Sequence, residues 1–323
     1  MADSKEVKEW VEFLATKKIT DLVDSDFKLV FIDTEARFGE VMWTLLDNNI
    51  LSVPIFNKHT HKFVGSVDLL DLLTYAVTVF SETLLLSSDF LSHLRDEKKL
   101  DEEKYGVKFL SDLSLRDPWC PVWIDLPLLS LMDMFSKQVN LHRVPLVDED
   151  GYVIGLISQS RVVDWLHENV NKVPAVILNK TVGEVIAEQG TKGKVVTVRD
   201  NMRTSEAYKM LLDAEVSSVA VVNEAGELVG NLSSSDLKGT KPGCLFEQFY
   251  FPVHKFIGEA ARRFGRDTTW PICCTEEETL EMALEKLTAK HIHRVYIIDH
   301  EKKPIGVLSL CDFITQLQYG ENL

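Results

Sequence analysis

HRVYIIDHEKKPIGVLSLCD, residues 293–312, contains two short runs of apolar and β-branched residues on either side of a polar turn. Such runs are typical of two adjacent β-strands. Ser309 stands where an N-cap would begin a helix over residues 310–317. The stretch therefore predicts a strand, a turn, a second strand and a helix.

The same pattern occurs three more times, over residues 51–75, 142–166 and 217–238. In every copy a glycine near the end of the last strand is followed six positions later by a charged residue. The four pairs are Gly65 with Asp71, Gly155 with Arg161, Gly230 with Asp236, and Gly306 with Asp312. A repeat at this spacing indicates one supersecondary unit per copy.

Each unit extends back to an earlier strand and helix, so it consists of a strand, a helix, two strands and a second helix. In the second copy the segment Glu-Asp-Gly, residues 149–151, predicts a hairpin turn, because Asp-Gly tolerates the positive φ that such turns need. A sheet of three short strands buries too little surface alone. The sequence therefore predicts an α/β fold in which repeats 1 and 2, and repeats 3 and 4, pair through their sheets into two domains divided near Pro174.

The predicted boundaries follow from this pattern and from a stretch that interrupts it after repeat 1. A charged run at residues 93–104 is typical of a solvated helix or loop, with a partner-docking element as the alternative. The segments are a lead-in helix at 1–20, repeat 1 at 21–80, a charged helical insertion at 81–115, repeat 2 at 116–173, repeat 3 at 174–240, and a linker with repeat 4 at 241–323.

Composition limits the classes of function. The 323 residues are 45% hydrophobic and 26% charged, as in soluble globular proteins, and the net charge of −15 argues against nucleic-acid or anionic-membrane binding. Neither a signal-type apolar run nor a stretch of membrane-spanning length is present, so we expect a cytoplasmic or nuclear protein. Five cysteines without a C-x-x-C pair favour reduced thiols, and no metal site is predicted.

HRVPLVDEDGYVIGLISQSR, residues 142–161, and the stretch at 293–312 resemble CBS repeats. Four in tandem resemble the γ regulatory subunit of the AMP-activated/SNF1-type protein kinases, over nearly the whole chain. The order Asp71, Arg161, Asp236, Asp312 sharpens the resemblance, because that family has a ribose-holding aspartate at the helix start in repeats 1, 3 and 4 and an arginine in repeat 2. A His-Arg pair opening the strand of repeats 2 and 4 is a further family feature.

The resemblance implies two Bateman modules in a pseudo-symmetric disc and regulatory binding of AMP, ADP or ATP in clefts between repeats. It also implies kinase α and β subunits as partners. Because the sequence offers no candidate pair of a catalytic nucleophile and its general base, we expect the protein to bind the nucleotide without catalysing a reaction. The alternative is an interaction scaffold that has lost its nucleotide sites and regulates a phosphatase or another partner.

The residue chemistry is compatible with a nucleotide. An aspartate at a helix start accepts hydrogen bonds from a ribose 2′,3′-diol and is favoured by the helix dipole, while arginine offers forked donors to phosphate. The same aspartate could instead be only a cap. The candidate nucleotide-binding residues are Asp71, His142, Arg143, Ser158, Arg161, Val216, Ser217, Ser218, Ser233, Asp236, His293, Arg294, Ser309 and Asp312.

Three departures from the family weaken one side of the predicted disc. Leu51 stands where the resembled subunit has a phosphate-binding arginine, Asp68 where it has threonine, and Ser160 where it has lysine. We therefore expect repeat 1 to bind phosphate poorly. The best predicted site lies between repeats 3 and 4. A basic cluster at residues 262–266 is interpreted as a solvated helix end, with a phosphate or an acidic partner as alternatives.

Overall fold

The computed structural model describes residues 2–23, 29–79, 107–111, 113–138, 140–240, 245–263 and 270–318. The charged run at 93–104 and part of the basic cluster at 262–266 lie outside these residues, so both interpretations stay predictions. None of the described helices has the length and apolar character that a membrane crossing requires.

Each repeat contains a three-stranded sheet in which the first strand is parallel to the second and the second is antiparallel to the third. The strands are β1 (Ile32–Asp33), β2 (Ser52–Asn57), β3 (Lys62–Asp68), β4 (Val122–Trp123), β5 (Arg143–Val147), β6 (Val153–Ser158), β7 (Thr197–Arg199), β8 (Ser218–Val222), β9 (Leu228–Ser233), β10 (Cys273–Thr275), β11 (Arg294–Ile298) and β12 (Pro304–Ser309). The predicted α/β repeat architecture is confirmed.

Helices precede and follow each hairpin. They are α1 (Ala2–Ala15), α2 (Phe38–Asp47), α3 (Leu69–Val79), α4 (Val107–Leu110), α5 (Leu128–Lys137), α6 (Gln159–Glu168), α7 (Ala175–Leu178), α8 (Val182–Glu188), α9 (Thr204–Asp213), α10 (Leu245–Phe249), α11 (Val253–Arg263), α12 (Leu280–Ala289) and α13 (Leu310–Gln318). In repeat 3 the helix expected after the last strand is a short 3-10 helix, Ser234–Gly239. It ends at Gly239, where a Cβ would lie 2.8 Å from the Cα of Ala260 in α11.

The chain forms two compact units, and they differ from the predicted pairs. The first unit contains residues 1–29, 117–195 and 272–323, which include repeats 2 and 4; the second contains 30–116 and 196–271, which include repeats 1 and 3. Pro174, the predicted division, lies inside the first unit. Within each unit the repeats meet through helices: α13 packs on α5 and α6 in the first, and α3 packs on α9 in the second.

Connecting segments cross over between repeats. The segment before repeat 1 attaches to the start of the first helix of repeat 2, and the segment before repeat 2 attaches to repeat 1. Repeats 3 and 4 exchange segments in the same way, so each segment lies in the compact unit of the repeat to which it attaches. The contacts are antiparallel bridges of Lys18 with Pro127, Thr181 with Thr279 and Arg203 with Pro252, and a 3.0 Å hydrogen bond from Val107 N–H to the Ala36 carbonyl. Because these attachments join residues distant in sequence, a pattern of local strands and helices does not predict them.

The predicted lead-in helix is present as α1. Trp10 and Leu14 are fully buried in the core of the first unit, and the Trp10 indole donates a 2.7 Å hydrogen bond to the Leu317 carbonyl. Phe13 stacks between Trp10 and Trp165, with ring centroids 5.6 and 6.0 Å apart. Burying two such side chains stabilises the fold by about 2 to 3 kcal/mol each, so α1 is part of the first unit's core.

Candidate functional site

All four repeats bring equivalent side chains to one end of their sheet. There, the residue that opens the second strand pairs with the residue that closes the third. These register pairs are Ser52 with Asp68, Arg143 with Ser158, Ser218 with Ser233, and Arg294 with Ser309. The helix-start residue of the sequence pattern follows three positions later. Each repeat therefore gathers its own candidate residues at a single strand-to-helix junction.

In repeat 4 this junction is built around Asp312, in the first turn of α13. Its Oδ2 accepts hydrogen bonds from the backbone N–H and the hydroxyl of Ser309, both at 2.6 Å. Its Oδ1 accepts a 3.0 Å hydrogen bond from Nε2 of Gln189. Asp312 is half-buried. This carboxylate is thus fixed at the strand-to-helix junction by Ser309 and by the amide of Gln189.

Repeat 3 has a similar arrangement. Oδ2 of Asp236 accepts hydrogen bonds from the N–H of Ser233 at 2.7 Å and from its hydroxyl at 3.0 Å. The buried Tyr208 hydroxyl donates to the Ser233 carbonyl at 3.1 Å. Burial first, and the nearby Asp236 carboxylate second, raise the pKa of Tyr208 well above its ordinary value. Tyr208 is therefore a neutral support for this junction.

The entry to the β8 strand is held by Arg116. Its Nη1 donates to the Val216 carbonyl at 2.8 Å, and its Nη2 donates to the Glu215 carbonyl. The candidate residues Ser217 and Ser218 follow directly, and Ser218 is buried. Arg116 belongs to the segment that precedes repeat 2, so a residue outside repeat 3 positions this strand.

Repeat 1 encloses its helix-start aspartate, contrary to the expectation that Asp71 faces a ligand. Asp71 is 3% exposed and accepts the N–H of Asp68 at 2.9 Å and the N–H of Ser114 at 2.8 Å. In return, Asp68 accepts the N–H of Asp71 at 2.7 Å. Burial and then the Asp68 charge raise the pKa of Asp71 to about 8. Asp71 is therefore a buried capping residue whose neutral form is favoured by its surroundings.

In repeat 2 the predicted phosphate ligand Arg161 makes internal contacts. Its Nε donates to the Leu22 carbonyl at 2.8 Å, and its Nη1 donates to Glu168 at 3.1 Å. The Ser158 hydroxyl oxygen accepts the Arg161 N–H at 3.3 Å and caps α6. Arg161 therefore already has a carbonyl and a carboxylate as partners.

Arg143 and His142 are also engaged within the first unit. Arg143 Nε lies 3.0 Å from Oδ2 of Asp117, and the N–H of His142 donates to Oδ1 of the same residue at 3.0 Å. The Asp117 side chain is 8% exposed. Burial raises its pKa, and the Arg143 guanidinium opposes that shift. Asp117 thus forms an ion pair with Arg143, which the sequence predicted to bind a phosphate.

The comparison with family models agrees with this repeated geometry. The model described as "CBS domain" matches residues 111–168, 182–240 and 269–319, which together make up more than half of the chain. The chain belongs to the CBS domain family. Repeat 1 lies outside the matched ranges, but its sheet has the same order and strand directions as the other three.

Curated relatives extend the likeness to the full set of CBS repeats. The chain is 24% identical to the 5′-AMP-activated protein kinase subunit gamma of Saccharomyces cerevisiae, over 96% of this chain and 93% of that protein. It is also 24% identical to the subunit of the same name from Dictyostelium discoideum, over 95% of this chain but only 52% of that protein. The chain is therefore a CBS protein that resembles AMP-activated kinase γ subunits.

Solved structures support the fold. A protein from Methanocaldococcus jannaschii, described as a candidate archaeal homologue of the AMPK γ subunit, matches with a TM-score of 0.70 at 15% identity, covering 93% of this chain and 99% of that one. An uncharacterised conserved protein from Pyrococcus horikoshii matches with a TM-score of 0.51 at 17% identity, covering 90% and 96%. At these identities the likeness establishes the fold alone.

The CBS repeats divide the predicted best site. His293, Arg294, Ser309 and Asp312 belong to the first compact unit, whereas residues 216–218 belong to the second. The repeat 4 half combines a half-buried helix-start carboxylate, Asp312, with an arginine, Arg294, which pairs across the sheet with Ser309.

Sequence reasoning missed four residues that contact the CBS candidates. Gln189 contacts Asp312, Ser114 contacts Asp71, Asp117 contacts Arg143, and Arg116 contacts the Val216 carbonyl. All four precede the first strand of a repeat and lie outside the strand-turn-strand pattern. Their one sequence signal is their position in the connecting segments between repeats. No group of three or more potential metal ligands occurs among the described residues.

Proposed function

We propose that this chain is a non-catalytic, γ-type regulatory protein that binds an adenine nucleotide, AMP, ADP or ATP, at the Asp312 end of the repeat 4 sheet. The observation that carries the proposal is the environment of Asp312. Its carboxylate is half-buried and capped by Ser309, whereas Asp71 at the equivalent position is 3% exposed. The relatives named as AMP-activated kinase γ subunits support the same ligand class.

In this site Asp312 would accept hydrogen bonds from the ribose hydroxyls. Carboxylate acceptors make shorter and stronger hydrogen bonds than neutral ones. The dipole at the start of α13 stabilises the same negative charge. Arg294 pairs with Ser309 across the sheet and brings a guanidinium-bearing residue to the same end, where a phosphate could be bound. His293 immediately precedes it.

The regulatory part of the proposal concerns partners. Nucleotide occupancy at Asp312 would change the surface that the chain presents to the α and β subunits of a protein kinase, as the names of the relatives suggest. A cytoplasmic or nuclear location belongs to this proposal. Co-purification of the chain with kinase subunits, and its dependence on AMP, would test the regulatory part separately from binding.

Isothermal titration calorimetry tests the binding directly. Wild type is titrated with AMP, ADP and ATP, and the same titrations are made with Asp312→Ala. Loss of a hydrogen bond to a charged group should weaken binding at least about tenfold. Asp71→Asn is the matched control, and we expect it to bind like wild type because Asp71 is enclosed.

Two results would overturn the proposal: no heat with any of the three nucleotides, or equal affinity in wild type and Asp312→Ala. Release of phosphate or adenosine from these nucleotides by the purified chain would contradict the non-catalytic part.

A scaffold without a functional nucleotide site is the second candidate, and a specific observation favours it. In repeats 1 and 2 the candidate groups are satisfied internally: Asp71 by backbone N–H groups, Arg161 by Leu22 and Glu168, and Arg143 by Asp117. A chain that regulates a phosphatase or another partner through its surface needs no open site. In the titrations above, the scaffold predicts no heat for wild type and for both variants.

A further inference from the structure

Asp312 has few acceptor positions left for a ribose. A carboxylate offers about four lone-pair positions. Two on Oδ2 are filled by the N–H and the hydroxyl of Ser309, and one on Oδ1 is filled by the Gln189 amide. One position remains, whereas a 2′,3′-diol donates two hydrogen bonds. One of the three internal donors must therefore leave before the diol can bind through both hydroxyls.

The three donors differ in how readily they can leave. The Ser309 N–H is backbone, and it caps the first turn of α13. The Ser309 hydroxyl belongs to the same cap and lies 2.6 Å from the carboxylate. Gln189 is held by its amide alone, at the longer distance of 3.0 Å. The geometry therefore favours Gln189 as the donor that is displaced.

A second observation concerns the other end of the Gln189 amide. Its Oε1 is buried, and no hydrogen-bond donor among the described residues reaches it. A buried carbonyl oxygen without a donor is unfavourable, and exposure to water would satisfy it. Rotation of the side chain out of the site would thus remove one hydrogen bond and allow another to form. The Gln189 backbone N–H stays bonded to the Val185 carbonyl at 3.0 Å, at the end of α8.

We propose that Gln189 is a displaceable side-chain latch on Asp312 that sets the selectivity of the repeat 4 site between ribonucleotides and 2′-deoxyribonucleotides. The inference rests on the proposed nucleotide function and adds a residue to it. A ribonucleotide displaces the amide to gain its second hydrogen bond. A 2′-deoxyribonucleotide has one sugar hydroxyl for the one open position and leaves the latch in place.

The test compares AMP with 2′-deoxy-AMP by isothermal titration calorimetry in wild type and in Gln189→Met. Methionine keeps the length of the side chain and removes the amide. We expect AMP to bind roughly five- to tenfold tighter to the variant, while 2′-deoxy-AMP binds with unchanged affinity. Gln316→Met is the matched control, because Gln316 lies on α13 and contacts Lys180 instead of Asp312. Its two affinities should equal those of wild type.

The outcomes of this test separate the proposed role of Gln189 from the proposed nucleotide binding. If AMP and 2′-deoxy-AMP change by the same factor in Gln189→Met, or if neither changes, the latch is wrong while nucleotide binding stands. If neither protein binds AMP, both the latch and the proposed function are overturned. Unfolding temperatures measured without ligand establish that each variant is folded.

Discussion

Replacing Asp71 with asparagine should stabilise the protein at neutral pH, although it removes a charge from a helix start. In the folded chain, burial and the neighbouring Asp68 raise the pKa of Asp71 from 3.8 to about 8. The folded state therefore holds a proton that the unfolded chain releases. Stability from this proton is complete below pH 3.8 and is lost as the pH rises to about 8. Asparagine has no such proton to lose.

The size of the effect follows from the difference in pKa. One pKa unit corresponds to about 1.4 kcal/mol, so roughly three units between the ordinary pKa and pH 7 give a gain on the order of 4 kcal/mol. The N–H groups of Asp68 and Ser114 are accepted by different oxygens of Asp71, and the single asparagine oxygen can keep only one of them. The hydrogen bond that is lost offsets about 1 to 3 kcal/mol. The net gain at pH 7 should therefore be on the order of 1 to 3 kcal/mol.

Urea denaturation at pH 5, 6, 7 and 8 measures this effect as the difference in unfolding free energy between Asp71→Asn and wild type. The difference should grow steadily with pH. Asp312→Asn is the matched control at the equivalent, half-buried position of repeat 4. It should change stability by about 1 kcal/mol or less, as expected for a cap. A loss of stability in Asp71→Asn at pH 7, or a difference that is the same at pH 5 and pH 8, would refute the reasoning.

Two further pairs of variants test the internal contacts, also by urea denaturation. Asp117→Ala should destabilise the protein by about 3 kcal/mol, because Arg143 loses its buried partner. Asp133→Ala is the control: it removes the partner of Lys137 in a more exposed ion pair and should cost less than about 1 kcal/mol. Equal losses would contradict the first comparison. Gly183→Ala should lower the free energy of unfolding by about 1 to 3 kcal/mol, because the new Cβ would lie 2.9 Å from a backbone oxygen of repeat 4. Gly39→Ala is the control: its Cβ would meet nothing within 4 Å, and the variant should gain about 0.5 to 1 kcal/mol of stability. A stabilising Gly183→Ala would contradict the second.

The hairpins were predictable because their determinants are local. The strands on either side of the turn predicted at residues 149–151 are Arg143–Val147 and Val153–Ser158. Gly151 has the positive φ, 80°, that the Asp-Gly turn requires. Register follows from such a turn, so the junction of strand and helix in each repeat could be located from the sequence alone.

The compact units could not be predicted in the same way. They depend on helix packing between repeats 2 and 4 and between repeats 1 and 3, and on connecting segments that attach to a different repeat. Apolar periodicity identifies a buried helix face but does not specify which face it meets. The expected pairing of repeats 1 with 2 and 3 with 4 through their sheets stays a prediction, whereas the repeats within each compact unit meet through helices.

The candidate site shows the same limit at the level of single residues. The spacing of Ser309 and Asp312 predicts a cap, and the hydrogen bonds between them are present. The same spacing in repeat 1 gives a buried carboxyl, because the Ser114 segment covers Asp71. The weak phosphate site expected in repeat 1 from its substitutions stays a prediction. The burial of Asp71 is a second, independent reason to expect weak phosphate binding in repeat 1.

A crystal structure of the chain with AMP tests the central claim most directly. The account predicts the ribose within hydrogen-bond distance of the Asp312 carboxylate, with the Gln189 amide turned away from it. Nucleotide bound elsewhere, or crystals grown at saturating AMP without nucleotide at Asp312, would contradict the account.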